Sequence, residues 1–339
     1  MKRPAAAKRK LQEVVPAEKP VEEEARPPPR EIPCGELSLG EPLSHFDAAC
    51  SIDELDFQAR RIGFDANSFL EKGYAVLNPL WSPEEVSTAA AAAHQVRRTK
   101  GRDSNNEFVC LRPNIRNQRS EKLMLFSLIN RYIPFLHQLL DGFLLPGHNS
   151  APYDHHNQVQ VAVKQPNFEG YADLQGMRSP NIGHVDQTIS RQKTQGQPIA
   201  NYSVLFGVVL GGETGTRDDA GNLWLAPGSH RKLQEAFCKF DGPIGWQTDI
   251  AAKYLGDEAP AMVPVRASPG QAIIMHHQTI HGVGPNHADQ ARVNVYFRVT
   301  ASGRGAGKKV HYPEAMRDIT KESPHLRQLA ARQKRRKKI

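Results

Sequence analysis

Four cysteines in 339 residues (Cys34, Cys50, Cys110 and Cys238) are too few and too scattered to form a covalent framework. No two make a C-x-x-C pair, which excludes a zinc knuckle or a disulfide scaffold and points to a reducing compartment. Long apolar runs are also missing. None approaches the roughly 18–20 residues a membrane helix needs, and none follows the basic start as a secretory signal would require. A soluble, intracellular chain with no membrane partner is expected. Acidic side chains are absent from both ends, where residues 1–10 carry five Lys or Arg and residues 327–339 carry seven. These cations outnumber the formal net charge of +8, so the body between them is net negative, at −4. The basic balance therefore describes the ends and does not require a nucleic-acid-binding face on the central domain.

Gly 26 and Pro 25 imply many turns, and the length suits one substantial core. Residues 1–45, rich in Lys, Glu and Pro, hold too few large apolar side chains to offset the entropy of ordering, and are read as a disordered tail. A central domain then spans 46–302, followed by a basic C-terminal tail over 303–339. Within the domain, Asp65 to Leu80 reads as a short helix ended by Gly73 and then a strand. Ser82, Pro83 and Glu85 form a capping box for a longer helix. Glu121 to Leu144 is apolar at helical spacing, with Pro134 expected to interrupt it into two pieces. After that the period becomes two, in "QVQVAVKQ", "NYSVLFGVVLGG", "GNLWLAPGSH", "QAIIMHHQ" and "RVNVYFRVT". Helices first and many short strands afterwards predict a mainly β sandwich or barrel with flanking helices.

Two imidazoles and one carboxylate stand out on this background. In "NIGHVDQT", His184 and Asp186 are two apart and share a face of an extended segment, with Val185 turned away. His281, in "QTIHGVGPN", supplies a third donor. A set of this kind leaves open positions for a co-substrate and oxygen, as a non-haem Fe(II) centre requires. His276 and His277 compete with His281, but Gly270, Gly282, Gly284 and Pro285 leave no room for a helix that would pair His277 with His281. The two are expected as packing or surface residues. Arg292, eleven residues past His281, has two open placements. Alternation ordinarily puts it on the solvent face of an outer strand. Inside a barrel, an unpaired guanidinium would demand an anionic ligand.

"GHVDQ", "GNLWLAPGSH" and "GQAIIMHHQTIHGVGPNHADQAR", with "EKGYAVLNPLWSPEEV" upstream, resemble the phytanoyl-CoA dioxygenase family of Fe(II)/2-oxoglutarate oxygenases over roughly residues 64–300. The resemblance implies a double-stranded β-helix (jelly-roll, cupin-like) core. It also implies His184, Asp186 and His281 as iron ligands, and Arg292 on the far carboxylate of 2-oxoglutarate. Lys122 sits where the family can place a further co-substrate contact. Fe(II), 2-oxoglutarate and O2 would be the cofactors, with ascorbate as an optional reductant. The implied reaction hydroxylates an unidentified substrate, a small molecule being favoured, and releases succinate and CO2. A carboxylate at 186, where related halogenases carry a small residue, favours hydroxylation over halogenation.

Two features depart from the family pattern. Val283 stands where many relatives have a hydroxyl, and "GGETGTRDDAG" makes a longer loop. Rival readings are a cupin-type metalloenzyme that needs no co-substrate, against which Arg292 argues, and an inactive nuclear binding module on the same fold. The basic ends, "KRPAAAKRK" and "RQKRRKKI", look like nuclear-localisation clusters, so a nuclear import receptor is an expected partner and the nucleus the expected location, otherwise the cytoplasm. Without interleaved aromatics, direct nucleic-acid binding is the minority case.

Overall fold

The computed structural model describes residues 51–100, 108–111, 120–140, 159–170, 172–185, 204–239, 250–299 and 323–337, so the expected tail over 1–45 lies outside the described residues. Local capping sets the first elements. Ser51 caps α1 (Ile52–Arg61) by accepting from the Glu54 N–H, and Asp65 caps α2 (Ala66–Lys72) by accepting from Asn67 and Ser68. Gly73 then ends α2 at φ 82°, a conformation that costs other residues about 1–2 kcal/mol. A Cβ there would also lie 2.5 Å from His230 Nδ1 and Thr279 Oγ1. β1 (Tyr74–Leu77) follows at once. α3 (Pro83–Lys100) opens with its capping box: the Glu85 N–H donates to Ser82 Oγ at 3.2 Å and the Ser82 N–H to Glu85 at 2.7 Å.

β2 (Phe108–Leu111), α4 (Ser120–Ser127) and α5 (Ile133–Leu139) come next. Pro134 does not interrupt a helix. It sits in the first turn of α5, where its missing N–H has no partner to lose, and the break falls upstream, at a 3-10 turn over Asn130–Tyr132. The remaining elements are β3 (Val159–Lys164), β4 (Val204–Gly211), β5 (Leu223–Leu225), α6 (Ser229–Lys239), α7 (Ile250–Tyr254), β6 (Val263–Pro264), β7 (Ala272–His276), β8 (His281–Val283), β9 (Arg292–Val299) and α8 (Pro324–Arg336).

The strands make two antiparallel sheets, one in the order β1-β7-β4-β9-β3-β2 and one in the order β6-β5-β8. Alternation assigns their faces. Val159, Val161, Val163, Phe206, Val208, Val293, Val295 and Phe297 pack with helical residues such as Leu55, Leu125 and Leu136. The opposite face of the large sheet gives Ala162, Leu205, Val209, Ile273, Met275 and Tyr296, which cluster with Leu223, Leu225 and Val265 of the small-sheet region. That second cluster is the layer between the sheets. Trp224, pointing the other way from β5, packs with Leu233 and Ile250.

Two expectations need correction. Among the described residues the structure is not mainly β: helix exceeds strand, 43% against 23%, because the large sheet needs a helical layer to cover its apolar outer face. Nor is the C-terminal stretch a solvated tail throughout. Over 323–337 it forms α8, with Leu326, Leu329 and Ala330 buried. Gln333 accepts from the Ala66 N–H at 2.8 Å and donates to the Phe64 carbonyl at 2.9 Å. Arg332 pairs with Asp53 and Asp56, Arg336 with Asp56, and Lys337 with Asp65. Among the described residues no helix is long and apolar enough to cross a membrane.

Candidate functional site

His184 follows a 3-10 turn over Pro180–Ile182 and reaches β8 through Gly183. A Cβ at Gly183 would lie 2.5 Å from Ile280 Cγ2, so only glycine lets the two segments approach. They then form an isolated antiparallel bridge. The His184 N–H donates to the His281 carbonyl at 2.8 Å and the His281 N–H to the His184 carbonyl at 2.9 Å. Directly opposed residues share a face, and the imidazole centroids lie 4.4 Å apart. His281 also stands opposite Leu225, whose side chain belongs to the layer between the sheets. The imidazole pair therefore faces that layer.

One hydrogen bond selects the tautomer of His281. Its Nδ1 lies 3.0 Å from the Thr279 carbonyl, which accepts only if Nδ1 carries the proton, so Nε2 presents the lone pair. The turn beneath is pinned: Thr279 Oγ1 donates to the Gly73 carbonyl and the Ile280 N–H to Ser229 Oγ. His276 and His277 are 0% and 1% exposed and belong to this packing rather than to the surface. His276 Nδ1 accepts from the Gln278 N–H, and its ring stacks near those of His230 and His277. No helix joins His277 to His281. Asp186 lies outside the described residues; Val185 beside it is fully buried. Among the described residues alone, no group of three His, Cys, Asp or Glu converges.

The tertiary fold answers the open question about Arg292: it is 0% exposed and inside. On β9 it shares a face with Asn294 and Tyr296, the face that lines the layer between the sheets. Its Nη2 donates to the Tyr296 hydroxyl at 2.7 Å. With the Asn294 amide oxygen turned toward them, Asn294 accepts from that hydroxyl at 2.9 Å and from Arg292 at 3.3 Å. Among the described residues, Nε and Nη1 of Arg292 meet no acceptor. A buried guanidinium left so is strongly unfavourable unless an anion completes it.

Lys164 was missed in the sequence, where a lysine ending a strand reads as a solvent-facing residue. It is 4% exposed and lies opposite Arg292 in the β3–β9 register. Burial, with the Arg292 and Arg97 charges behind it, pushes its ammonium down to about 7. Its Nζ lies 4.2 Å from the Phe168 ring centre. Asn286 braces the same corner, donating to the Lys164, Gln165 and Gln290 carbonyls. The loop from Gly211 to Gly221 closes nearby, tied by Asn222 to Thr214 and Val265 and by the Arg217–Asp219 and Arg266–Asp218 pairs. Lys122 sits on α4, buried, with Nζ 5.9 Å from the Phe126 ring one turn on.

These residues fit the groups the sequence implied. The imidazole pair, with a fixed Nε2 lone pair on His281, suits a borderline metal such as iron, and the unmatched donors of Arg292 suit a carboxylate. The family model for phytanoyl-CoA dioxygenase matches residues 69–294. Curated protein sequences gave no match. Solved structures to which this chain is similar include EctD from S. alaskensis in its apoform, at TM-score 0.44 and 18% identity over 75% of this chain and 80% of that one. SnoK, a non-heme alpha ketoglutarate dependent carbocyclase from nogalamycin biosynthesis, gives 0.43 and 16% over 69% and 81%. AviO1 from Streptomyces viridochromogenes Tue57 gives 0.42 and 18% over 73% and 97%. With TM-scores below 0.5, these likenesses carry no conclusion about this chain. Enzymes of the matched family use Fe(II), 2-oxoglutarate and O2. Since the family model covers well over half of its length, the chain belongs to the phytanoyl-CoA dioxygenase family of Fe(II)- and 2-oxoglutarate-dependent oxygenases.

Proposed function

We propose that this chain is a hydroxylase of a small molecule, working between the two sheets of a double-stranded β-helix core. The observation that carries the proposal is Arg292, a fully buried cation with two donor groups unmatched among the described residues, on the face that the His184–His281 pair also addresses. His184, Asp186 and His281 would hold Fe(II), and Arg292 the far carboxylate of 2-oxoglutarate. Bound iron would supply the redox chemistry that couples oxidative decarboxylation of 2-oxoglutarate, to succinate and CO2, to oxidation of the substrate. Thr279 holds the His281 ring in the ligating tautomer, and Tyr296 holds one edge of the guanidinium. Leu205, Val209, Leu223 and Leu225 line the same layer and exclude water from it, which strengthens each ionic contact. Val283 shares the face of His281 and brings no donor, so the co-substrate must draw its hydrogen bonds from the large sheet. A cupin-type reaction without co-substrate leaves the buried Arg292 unexplained.

Succinate formation from 2-oxoglutarate on addition of Fe(II) tests the proposal, and Asp186→Ala should abolish it. Turnover unaffected by that change would remove Asp186 from the centre. Lys122→Ala in the same assay tests a co-substrate contact from α4: an unchanged KM for 2-oxoglutarate rejects it. A mass search for a compound gaining one oxygen identifies the substrate. We further propose nuclear import through the basic ends, which a fluorescent fusion that stays cytoplasmic with both clusters intact would refute.

A further inference from the structure

We propose that Ser229, in the "LAPGSH" segment, is a positioning residue for the iron ligand His281, acting through the one peptide group that joins Thr279 to Ile280. This assignment rests on the function proposed above and deepens it. Three observations carry it. The Ile280 N–H donates to Ser229 Oγ at 2.9 Å, and the Thr279 carbonyl, the other end of the same planar peptide, lies 3.0 Å from His281 Nδ1. Ser229, Thr279 and Ile280 are each 0% exposed, so bulk water does not stand in for the hydroxyl. The third observation is a break in the β5–β8 ladder. A regular antiparallel pair at Ala226 and Ile280 would exchange two backbone bonds. One forms, from the Ala226 N–H to the Ile280 carbonyl at 2.9 Å. The Ala226 carbonyl instead accepts from the Ser229 N–H at 3.1 Å, because Pro227 and Gly228, the latter at φ 78°, turn the chain back there. The Ser229 side chain then accepts the Ile280 N–H that the ladder has left over.

A buried peptide N–H without an acceptor is strongly unfavourable, and a peptide that tilts to find another acceptor carries its carbonyl with it. Here that carbonyl selects the proton-bearing nitrogen of His281. With the peptide held, Nδ1 keeps the proton and Nε2 keeps the lone pair that a metal needs. The two bonds through one amide also reinforce each other, since donation by the N–H makes its carbonyl a stronger acceptor. His184 is reached as well. Ile280 Cγ2 is the atom that a Cβ on Gly183 would meet at 2.5 Å, so the placement of Ile280 sets how closely the His184 segment approaches. The relay has firm supports on both sides. The Gly228 N–H donates to the Lys72 carbonyl at 2.9 Å and Thr279 Oγ1 to the Gly73 carbonyl at 3.1 Å, so both turns rest on the end of α2.

Anaerobic titration of the full chain with Fe(II), and with Co(II) as a probe whose visible absorption reports its ligands, tests this without turnover. Ser229→Ala should bind both metals about 10–100-fold more weakly than the wild type, with an altered Co(II) band. Ser323→Ala is the control for stability. Ser323 is also a buried serine, 4% exposed, whose Oγ accepts from the Leu326 N–H and donates to the Leu139 carbonyl at the start of α8. Its loss should lower the melting temperature and leave metal affinity unchanged. In the metal-free proteins, nitrogen NMR of isotope-labelled histidines should show His281 protonated at Nδ1 in the wild type and a mixture of tautomers in Ser229→Ala. If the alanine variant does not fold, Ser229→Cys, close in size but with a weak sulfur acceptor, takes its place with the same expected outcome. Unchanged metal affinity and Co(II) spectrum in the Ser229 variant overturn the assignment, and so does an equal loss of affinity in Ser323→Ala. A wild type that binds neither metal overturns the proposed iron centre as well. Tight binding by wild type and Ser229 variant alike overturns only the role of Ser229.

Discussion

At the scale of single residues, the site is recognised by side chains that work against stability. Arg292 is charged, fully buried and only partly hydrogen-bonded. Replacing such a group with an apolar one of similar volume commonly stabilises a protein by about 1–4 kcal/mol. Arg292→Met should thus raise the urea midpoint of the protein without co-substrate while abolishing 2-oxoglutarate binding; an unchanged or lowered midpoint would contradict the environment described. Lys164 makes a pH prediction whose sign is fixed. Its proton affinity is lowered on folding, from 10.5 to about 7, so between those values the unfolded chain binds more protons and stability rises with pH. Lys164→Met should accordingly exceed the wild type in stability near pH 6 and lose that advantage toward pH 10. A constant difference across that range would refute a buried, titrating amine. His184 and His281 were legible as a pair from residue chemistry and neighbouring glycines, whereas Lys164 was not, because strand alternation gives faces but not which face is enclosed.

At the scale of elements, glycine placement determines whether the imidazoles meet. Gly183→Ala would force Ile280 and His281 away from His184, since the added carbon has no room at 2.5 Å. Iron affinity should fall on the order of 10–100-fold, as when ligand positioning is disturbed elsewhere. Equal Fe(II) affinity in Gly183→Ala and wild type would mean that the bridge between His184 and His281 does not position the ligands. Element types were mostly readable: the Ser82–Glu85 box, the Gly73 stop and the period-two strands all depend on contacts within a few residues. Pro134 was misread as an interruption because the same residue that breaks a helix interior is favoured in a first turn, and spacing alone does not say where the turn begins.

For the whole molecule, the least expected contribution is that of α8. Leu326 and Leu329 are buried at about 1.5–3 kcal/mol each, and Asp56, 1% exposed, would lose two of its three arginine partners if the helix were removed. Stripping partners from a buried charge costs about 3–5 kcal/mol, a large part of the 5–15 kcal/mol typical of a domain. Truncation after residue 322 should therefore lower the melting temperature sharply or abolish cooperative unfolding; an unshifted melt would show α8 to be dispensable. Arg332, Arg336 and Lys337, read in sequence as part of an import signal, are held in ion pairs, although Arg336 and Lys337 stay exposed together with Arg327, Lys334 and Arg335.

The amino-acid sequence alone determined the local events and the chemical inventory: where helices start, which residues alternate, and which imidazoles, carboxylate and guanidinium are present. Only the tertiary structure decided which face of β9 is enclosed, that Lys164 stands beside Arg292, and that α8 docks through Asp56. The physical reason is that burial and electrostatic pairing between residues more than a hundred positions apart depend on how sheets and helices stack, and no local pattern encodes that.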